Sequence, residues 1–251
     1  MWTDAHCHLN QYQDSASVIK RARASGVERI FSVPETLQDC LELRKLADKH
    51  PEAYYFVGVH PQKVTSDLPS EEELNAIDVL LKERNPKLLG VGEIGLDYKY
   101  GNTPELQERQ KEVFKGFLDR AESRGFAVNV HSRLAELDVL SILEGYSLKK
   151  VILHWFQGPS ELVRAGAEKG YYFSIGPSIL NSKKYEARAL EIGLDNLLIE
   201  TDGPVSFNGK QSEPSWIPSI GNKLAETFKA KGNDVEDLLE RNLKNLLPLT
   251  D

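Results

Sequence analysis

The regular alternation of short apolar runs with helical patterns constrains the fold of this chain more than any other feature. Eight runs rich in Val, Ile, Phe and Tyr recur at fairly even intervals, and amphipathic stretches separate them. Strands that alternate with helices predict a parallel sheet with crossover helices. The runs lie at Trp2–His8, Glu28–Val33, Tyr54–Val59, Leu88–Glu93, Ala127–His131, Lys150–His154, Tyr171–Ile175 and Asn196–Thr201.

Several of the intervening segments carry recognisable helix ends. Ser70 with Glu73 three residues later predicts a capping box, and Thr103 followed by Pro104 predicts an N-cap and a first helical position. Gly125 is placed to end the helix that begins at Pro104. Two further helical segments are predicted at Asn181–Gly193 and Trp216–Leu247.

Chain length and the number of units favour one architecture. Eight strand–helix units in 251 residues match a (β/α)8 TIM barrel, and 40% apolar residues allow a large core. We therefore expect a single α/β domain over residues 1–251. An open doubly wound sheet is the alternative, because periodicity alone does not separate the two.

Polar side chains stand where the predicted strands end. Four histidines end strands one, five and six, Glu93 ends strand four, and Asp202 follows strand eight. In a barrel the carboxyl ends of the strands form one rim, where active sites lie. We therefore expect six potential metal ligands to converge there: His6, His8, Glu93, His131, His154 and Asp202.

The spacing of the first two histidines has a direct structural meaning. Residues i and i+2 of a strand point to the same face, so His6 and His8 can hold one cation together. Cys7 then points into the layer between barrel and helices. Asp4 shares the face of the histidines in this pattern, and we expect it to orient one of the imidazoles.

Four imidazoles and two carboxylates suit a pair of divalent ions bridged by one carboxylate. Two such ions can share a hydroxide and clamp the attacking and leaving oxygens of a phosphoryl or carbonyl centre. Imidazole favours Zn, Mn or Co over Mg, although the sequence leaves the identity of the metal open. From the residues alone, the chain is predicted to be a two-metal hydrolase.

Net charge, hydropathy and cysteine content narrow the possible binding partners and cellular location of the protein. The sequence has 31 basic and 38 acidic residues, and a net charge of −7 argues against a broad basic surface for nucleic acid. Bound metal ions invert local charge, so a metal-dependent nuclease stays open. No apolar stretch reaches the ~18 residues of a membrane span. The polar N-terminus is unlike a signal peptide, and two cysteines make no disulfide framework, so we expect a cytoplasmic protein without membrane association.

Seven segments in this order resemble the TatD-related metal-dependent deoxyribonucleases, a branch of the amidohydrolase-like TIM barrels. The resemblance extends from residue 3 to about residue 247. It is carried by Thr3–Leu9, Val57–Pro61, Gly92–Tyr98, Val130–Arg133, His154–Gly158, Tyr171–Ser174 and Glu200–Pro204.

The resemblance implies roles for the six residues. His6 and His8 would bind one metal ion, His131 and His154 the other, and Glu93 would bridge the two. Asp202 would ligate the first ion and accept a proton from the attacking water, so Asp202 and Glu93 are the expected catalytic residues. The reaction would be hydrolysis of DNA phosphodiesters by a metal-bound hydroxide, with removal of nucleotides from 3′ ends.

The same resemblance suggests contacts with substrate. His60 would contact a phosphate, and Arg133 would bind phosphate or begin a helix. After strand eight the family usually carries Arg-Asn-Glu-Pro, whereas this chain has Gln211–Pro214, which leaves Lys210 as the nearest cation. We expect single-stranded or frayed 3′ ends as substrate, steered by a ring of loop cations at Lys63, Lys99, Arg133, Lys183, Lys184 and Lys210.

Other functions stay open at this point. The same metal centre could hydrolyse an ester or an amide, for example in deacylation of misacylated tRNA. A metal-stabilised scaffold without activity is disfavoured because the ligand set is complete. Asp97 is expected to orient a ligand histidine or to shape its loop. Trp155 and Phe156 are expected to pack in the interior, with stacking on a DNA base as the alternative. Oligomeric state, physiological metal and pathway are left open.

Overall fold

The computed structural model describes residues 1–83 and 85–247. Its main sheet has eight parallel strands whose spatial order follows the chain order. This sequential order confirms the (β/α)8 barrel and excludes the doubly wound alternative, in which the strand order reverses. The strands are β1 Trp2–Cys7, β2 Val27–Ser32, β3 Ala53–Val57, β4 Leu88–Gly95, β5 Ala127–His131, β6 Val151–Leu153, β7 Tyr172–Ile175 and β8 Leu197–Ile199.

The barrel closes between the end of β1 and the segment that follows β8, a junction called the barrel seam below. Cys7 pairs in parallel with Gly203. The backbone N–H of His8 donates to the carbonyl of Gly203 at 2.7 Å, and that of Asp202 donates to His6 at 3.0 Å. The seam therefore closes at the level of three predicted metal ligands.

Within the described residues, ten α-helices follow the strands. They are α1 Ser15–Ala24, α2 Leu37–Lys49, α3 Pro61–Ser66, α4 Glu71–Lys82, α5 Pro104–Arg124, α6 Glu136–Leu143, α7 Ser160–Glu168, α8 Lys183–Ile192, α9 Ile217–Phe228 and α10 Gly232–Leu246. Short 3-10 turns lie at Leu9–Gln11, Pro177–Leu180, Leu194–Asn196 and Pro214–Trp216. Among the described residues, no helix combines the length and apolarity that crossing a membrane requires.

The predicted caps are confirmed at two helices. Ser70 and Glu73 form a reciprocal capping box, with bonds of 3.2 and 2.9 Å. Thr103 caps α5 through the N–H of Leu106, and Gly125 ends this helix in the left-handed conformation.

One predicted helix boundary is wrong, and one helix break was not predicted. The helix expected from Asn181 begins at Lys183, because Asn181 ends the preceding 3-10 turn. The tail is helical as predicted, but it is divided into α9 and α10 at Lys229, whose φ of 54° lies in the left-handed region. The pattern missed the break because Lys229 is neither Gly nor Pro, the residues that usually mark such a stop.

The core has two layers. One lies inside the barrel, where one residue from each of several strands meets the others, as Ala5, Phe31, Phe56, Ile152 and Leu198 do. Leu243 and Leu246 of α10 join this cluster, so α10 closes the barrel end opposite the rim. The larger layer lies between strands and helices and includes Cys7, as predicted.

Candidate metal centre

The structure brings the six predicted ligands together at the carboxyl ends of the strands. Five are buried, and His131 is half-buried. Three overlapping groups place their ligand atoms within 4.8 Å of one another, and the third includes His60, which is not among the six: His6, His8 and Glu93; His6, His154 and Asp202; His60, Glu93 and His131.

Bulges in two strands aim the ligands inward. In β1, Asp4 pairs with Ile30 and Cys7 with Ser32, so one extra residue lies on β1 between these pairs. In β4 an extra residue lies between Val91 and Ile94, the interval that contains Glu93. A bulge interrupts the alternation of a strand and redirects the side chain it carries.

The bulge in β1 overturns the expected role of Asp4. Alternation is lost between Asp4 and His6, and Asp4 does not orient an imidazole. Instead it crosses the barrel seam, where its carboxylate accepts the N–H of Thr201 at 2.9 Å and the Thr201 hydroxyl. Burial raises the pKa of Asp4 to about 7, against the lowering effect of these hydrogen bonds.

Three histidines are held at Nδ1 so that Nε2 is directed into the site. In each of them an acceptor lies within hydrogen-bond distance of Nδ1. Nδ1 of His6 lies 3.0 Å from the amide oxygen of Asn129, and Nδ1 of His8 lies 3.1 Å from the carbonyl oxygen of Val33. Nδ1 of His154 lies 2.8 Å from the carboxylate of Glu200. A proton on Nδ1 leaves Nε2 as the ligand atom.

The first cluster of ligand atoms has the dimensions of a metal site. Nε2 of His6 and of His8 lie 3.5 and 3.4 Å from Oε2 of Glu93, and both lie 3.6 Å from Oδ1 of Asp202. Four donors around a zinc-sized ion at about 2.0–2.1 Å stand about 3.3–3.4 Å apart. Nε2 of His6 and Oε2 of Glu93 are buried without a hydrogen-bond partner. A divalent cation would supply the partner that this buried nitrogen and this buried oxygen lack.

The other oxygen of Glu93 faces a second set of histidines. Oε1 lies 2.7 Å from Nδ1 of His131, 3.4 Å from Nε2 of His60 and 3.9 Å from Nε2 of His154. One carboxylate therefore presents its two oxygens to two separate groups of imidazoles.

His60 differs from the other histidines in its tautomer. It caps α3, and its Nδ1 accepts the backbone N–H of Gln62 at 3.1 Å. An Nδ1 that accepts must be unprotonated, so a neutral His60 carries its proton on Nε2. Burial lowers the pKa of His60, although the charge of Glu93 opposes this, and the ring is neutral. His60 is thus a hydrogen-bond donor into the site.

Asp97 performs both of the functions expected of it. Its Oδ2 lies 2.9 Å from Nε2 of His131, and its Oδ1 accepts the N–H groups of Lys99 and Tyr100. The carboxylate therefore orients His131 and shapes the loop after β4.

Comparison with known proteins agrees with this site. The profile of the TatD-related DNase family matches residues 3–248. This chain belongs to that family.

It is 33% identical to the metal-dependent hydrolase YabD of Bacillus subtilis, over 98% of both chains. It is 30% identical to the human deoxyribonuclease TATDN3, over 98% of this chain and 93% of that protein. The crystal structure of YjjV, a TatD homologue of Escherichia coli, superimposes with a TM-score of 0.88 at 25% identity, covering 99% and 98% of the two chains. The chain is accordingly a metal-dependent hydrolase.

Charges in this TatD-family site are strongly coupled. Burial lowers the pKa of His6, but Glu93, Glu200 and Asp202 together outweigh burial and raise it to about 10. In the same way the carboxylates of Asp97 and Glu93 overcome burial and raise the pKa of His131 to about 9. Burial raises the pKa of Glu93, yet the surrounding histidines hold it well below its ordinary value. The carboxylates are therefore charged, as metal ligands must be.

The predicted cations at the rim divide into two groups. Lys63 and Lys183 form ion pairs with Glu35 at 2.7 Å and Glu186 at 2.9 Å. Over residues 1–83 and 85–247, no ion pair is made by four others: Lys99, Arg133, Lys184 and Lys210. Arg133 and Lys210 are exposed, so their charges face solvent at the rim.

Sequence reasoning missed two residues that hold the ligands. Asn129 stands two residues before His131 on β5, and its amide group donates to the carbonyl of Ala5 at 3.3 Å, which leaves its oxygen for His6. The i, i+2 spacing could have indicated it. Glu200 begins the segment Glu200–Pro204 that carries part of the family resemblance, but the sequence offered no reason to pair it with His154. Only the fold brings the two side chains together.

Proposed function

We propose that this chain hydrolyses phosphodiester bonds of DNA at a centre of two divalent metal ions and removes nucleotides from 3′ ends. The observation that carries the proposal is the placement of Glu93, whose two oxygens face separate histidine groups at 3.4–3.5 Å and at 2.7–3.9 Å. Membership of the TatD-related DNase family and the similarity to a human deoxyribonuclease support DNA as substrate.

The predicted ligands would divide between the two ions. His6, His8 and Asp202 would hold one ion and His131 and His154 the other, with Glu93 shared between them. The pair of ions would be Zn, Mn, Mg or Co, and imidazole ligands favour the transition metals. When bound, such ions polarise a phosphoryl oxygen and acidify water.

Asp202 accepts the proton of the attacking water. Its carboxylate is buried against His6 and His8, and the charge of His154 with the hydrogen bond to His8 lowers its pKa in spite of burial. It also has a φ of 48°, a left-handed conformation that costs about 1–3 kcal/mol and is found most often at functional sites. A charged carboxylate fixed in this way is available as a base over the neutral pH range.

Three residues bind the substrate. The Nε2–H of His60 donates to a phosphate oxygen, for which its tautomer and neutral state suit it. Arg133 and Lys210 are exposed cations at the rim and contact the backbone of a single-stranded or frayed end. Arg133 can make two parallel hydrogen bonds to a phosphate, whereas Lys210 acts as a point charge.

The decisive experiment is a metal-addition series on 3′-labelled single-stranded DNA. Stripped protein receives Mg, Mn, Zn or Co, beside a His131→Ala control. We expect metal-dependent release of mononucleotides that the control lacks. Silence with all four metals, while elemental analysis finds two ions per chain, would refute the nuclease and leave an ester or amide hydrolase such as an aminoacyl-tRNA deacylase.

We further propose that residues 1–251 act as one domain in the cytoplasm. Cys7 and Cys40 are both free and buried, which agrees with a reducing compartment. Fractionation of cells that express the tagged chain tests the location.

A further inference from the structure

We propose that Trp155 and Phe207 form a binding subsite for the terminal nucleobase of a single-stranded substrate. These two side chains are called the aromatic platform below. The proposal rests on the nuclease function and names the part of the substrate that the metal centre does not hold.

The aromatic platform connects two loops that begin at the metal centre. Trp155 follows His154 directly, and Phe207 lies five residues after Asp202. Their ring centroids are 5.4 Å apart with an interplanar angle of 36°. The Trp155 ring is 6.2 Å from the ring of His154, whose Nε2 is 4.0 Å from Oδ1 of Asp202. A nucleotide whose phosphate lies at the metals can therefore bring its base to the platform.

A dedicated hairpin carries Phe207. Strands β9 Ser206–Phe207 and β10 Lys210–Gln211 pair antiparallel, and Asn208 and Gly209 form the turn with φ of 51° and 76°. Asn-Gly with two positive φ values is the sequence that a tight two-residue hairpin prefers. The hairpin holds Phe207 in a defined place, whereas a loose loop would not.

The backbone at Trp155 is also unusual. Its φ of 39° is a left-handed conformation, which bulky residues adopt at a cost in free energy. The backbone N–H donates to the Ser174 hydroxyl at 3.2 Å. The indole N–H donates to the hydroxyl of Tyr185, also at 3.2 Å, so the ring plane is fixed. A fixed ring loses little entropy when a base stacks on it.

Trp155 and its neighbour Phe156 differ in their exposure to solvent. Phe156 is 3% exposed and packs edge-on against Phe173 in the core, so the expected packing role belongs to Phe156 alone. Trp155 and Phe207 are only half-buried. Part of the surface of each platform ring therefore stays accessible to solvent, where a base can stack on it.

The charges around the aromatic platform suit a nucleotide. Lys210 pairs with Phe207 across the hairpin, and Lys184 reaches the side chain of Gln157 at 3.3 Å. Neither lysine forms an ion pair within the described residues. The nearby Glu186 is already paired with Lys183 and Lys223. A nucleotide can place its neutral base on the aromatic rings and its phosphates beside the lysines. A base must be unstacked to reach the rings, so the platform favours single strands over duplexes.

The test uses a phosphorothioate oligonucleotide that resists hydrolysis and carries 2-aminopurine at its 3′ end. Phe207→Leu keeps an apolar side chain of somewhat smaller volume and removes the aromatic face, and Phe207→Tyr is the matched control. We expect Phe207→Leu to weaken binding by about fivefold or more, which corresponds to the lower end of stacking on one base. The quenching of 2-aminopurine fluorescence should be lost with it, and Phe207→Tyr should keep both. Equal unfolding temperatures of the variants exclude a purely structural effect.

A second measurement separates this proposal from the nuclease proposal. The wild type is assayed on strands that end in a normal nucleotide or in an abasic one, and on bis(p-nitrophenyl) phosphate, a phosphodiester without a base. Equal KM for the two strands, or unchanged binding by Phe207→Leu, would overturn the subsite while leaving the nuclease intact. Quenched binding without hydrolysis of any phosphodiester would instead overturn the nuclease and support the subsite.

Discussion

At the scale of single residues, a substitution can separate the two roles proposed for Asp202, as a metal ligand and as the base. Asp202→Asn keeps the size and one oxygen of the side chain but removes its capacity to accept a proton. We expect turnover to fall by about two to four orders of magnitude with part of the metal binding retained. Single-turnover cleavage and elemental analysis of the same preparation measure the two effects. Turnover close to that of the wild type would show that another group is the base.

Glu200 illustrates how a residue outside the ligand set can govern metal affinity. Its carboxylate is fully buried and lies 2.8 Å from Nδ1 of His154. We expect Glu200→Ala to lower metal affinity by about 10- to 100-fold, because the imidazole loses the partner that fixes its tautomer. Glu200→Gln still offers an acceptor and should lose less. Competition with a fluorescent chelator measures both. Unchanged affinity with a lower unfolding temperature in both variants would mean that Glu200 is only structural.

At the scale of elements, β4 and β5 approach each other so closely that a glycine is required. Gly95 has a φ of +136°, and a Cβ at this position would lie 2.0 Å from the carbonyl oxygen of His131. Gly125 also has a positive φ, of +66°, but no atom lies within 4 Å of its Cβ position.

The two glycines form a matched pair of tests. Gly125→Ala should cost about 1–2 kcal/mol from backbone strain alone. Gly95→Ala adds the clash with β5, so we expect at least twice that loss, together with loss of metal binding at His131. Urea denaturation of both variants gives the comparison. Equal losses would show that the sheet can separate locally.

Helix α1 is joined to the turn before α9 by a pair of charged side chains. Arg21 donates three hydrogen bonds of 2.6–3.1 Å to Glu213, and these lower the pKa of the Glu213 carboxyl. A carboxyl with a depressed folded pKa stabilises the protein above its unfolded pKa of about 4.3, and this contribution is lost as the pH falls through the folded value.

The pH dependence of this pair is therefore predictable in sign. At pH 7, Arg21→Met should lower the free energy of unfolding by about 0.2–1 kcal/mol, the range of exposed ion pairs. The difference from the wild type should shrink below about pH 4.3. Denaturant titrations at pH 7 and pH 3 check this, with Lys20→Met, at another exposed position of α1, as control. A difference that grows towards pH 3 would contradict the assignment.

At the scale of the whole molecule, the metal centre lies across the barrel seam. His6 lies on β1 and His8 directly follows it, while Asp202 follows β8, so ions bound to all three would connect the first and last strands. At a free metal concentration about 100 times the Kd, bound metal should stabilise the fold by about 2.7 kcal/mol, or about 5–10 °C for a chain of this size.

Calorimetry of stripped and metal-loaded protein measures this stabilisation. The same titration with His8→Ala should give a smaller shift, because one ligand beside the seam is lost. An equal shift in wild type and variant would show that stabilisation comes from metal bound elsewhere. Because the effect is on unfolding, it does not depend on which substrate the enzyme cleaves.

The sequence alone determined the architecture and indicated which six polar residues converge at the rim. Strand–helix alternation, chain length and polar residues at strand ends are local or additive properties, so they can be read without coordinates. The same is true of the helix caps at Ser70 and Thr103, which depend on residues three positions apart.

Tertiary structure decided what depends on contacts between distant segments. The bulge in β1 is a matter of register between strands, and it moved Asp4 from the imidazoles to Thr201, which is 197 residues away in the chain. The tautomer of His60 depends on its place at the start of α3, and the pairing of Trp155 with Phe207 depends on two loops that meet at the rim. Periodicity records which residues share a face within one strand or helix, but register and loop packing are set by the partner, which the local sequence does not contain.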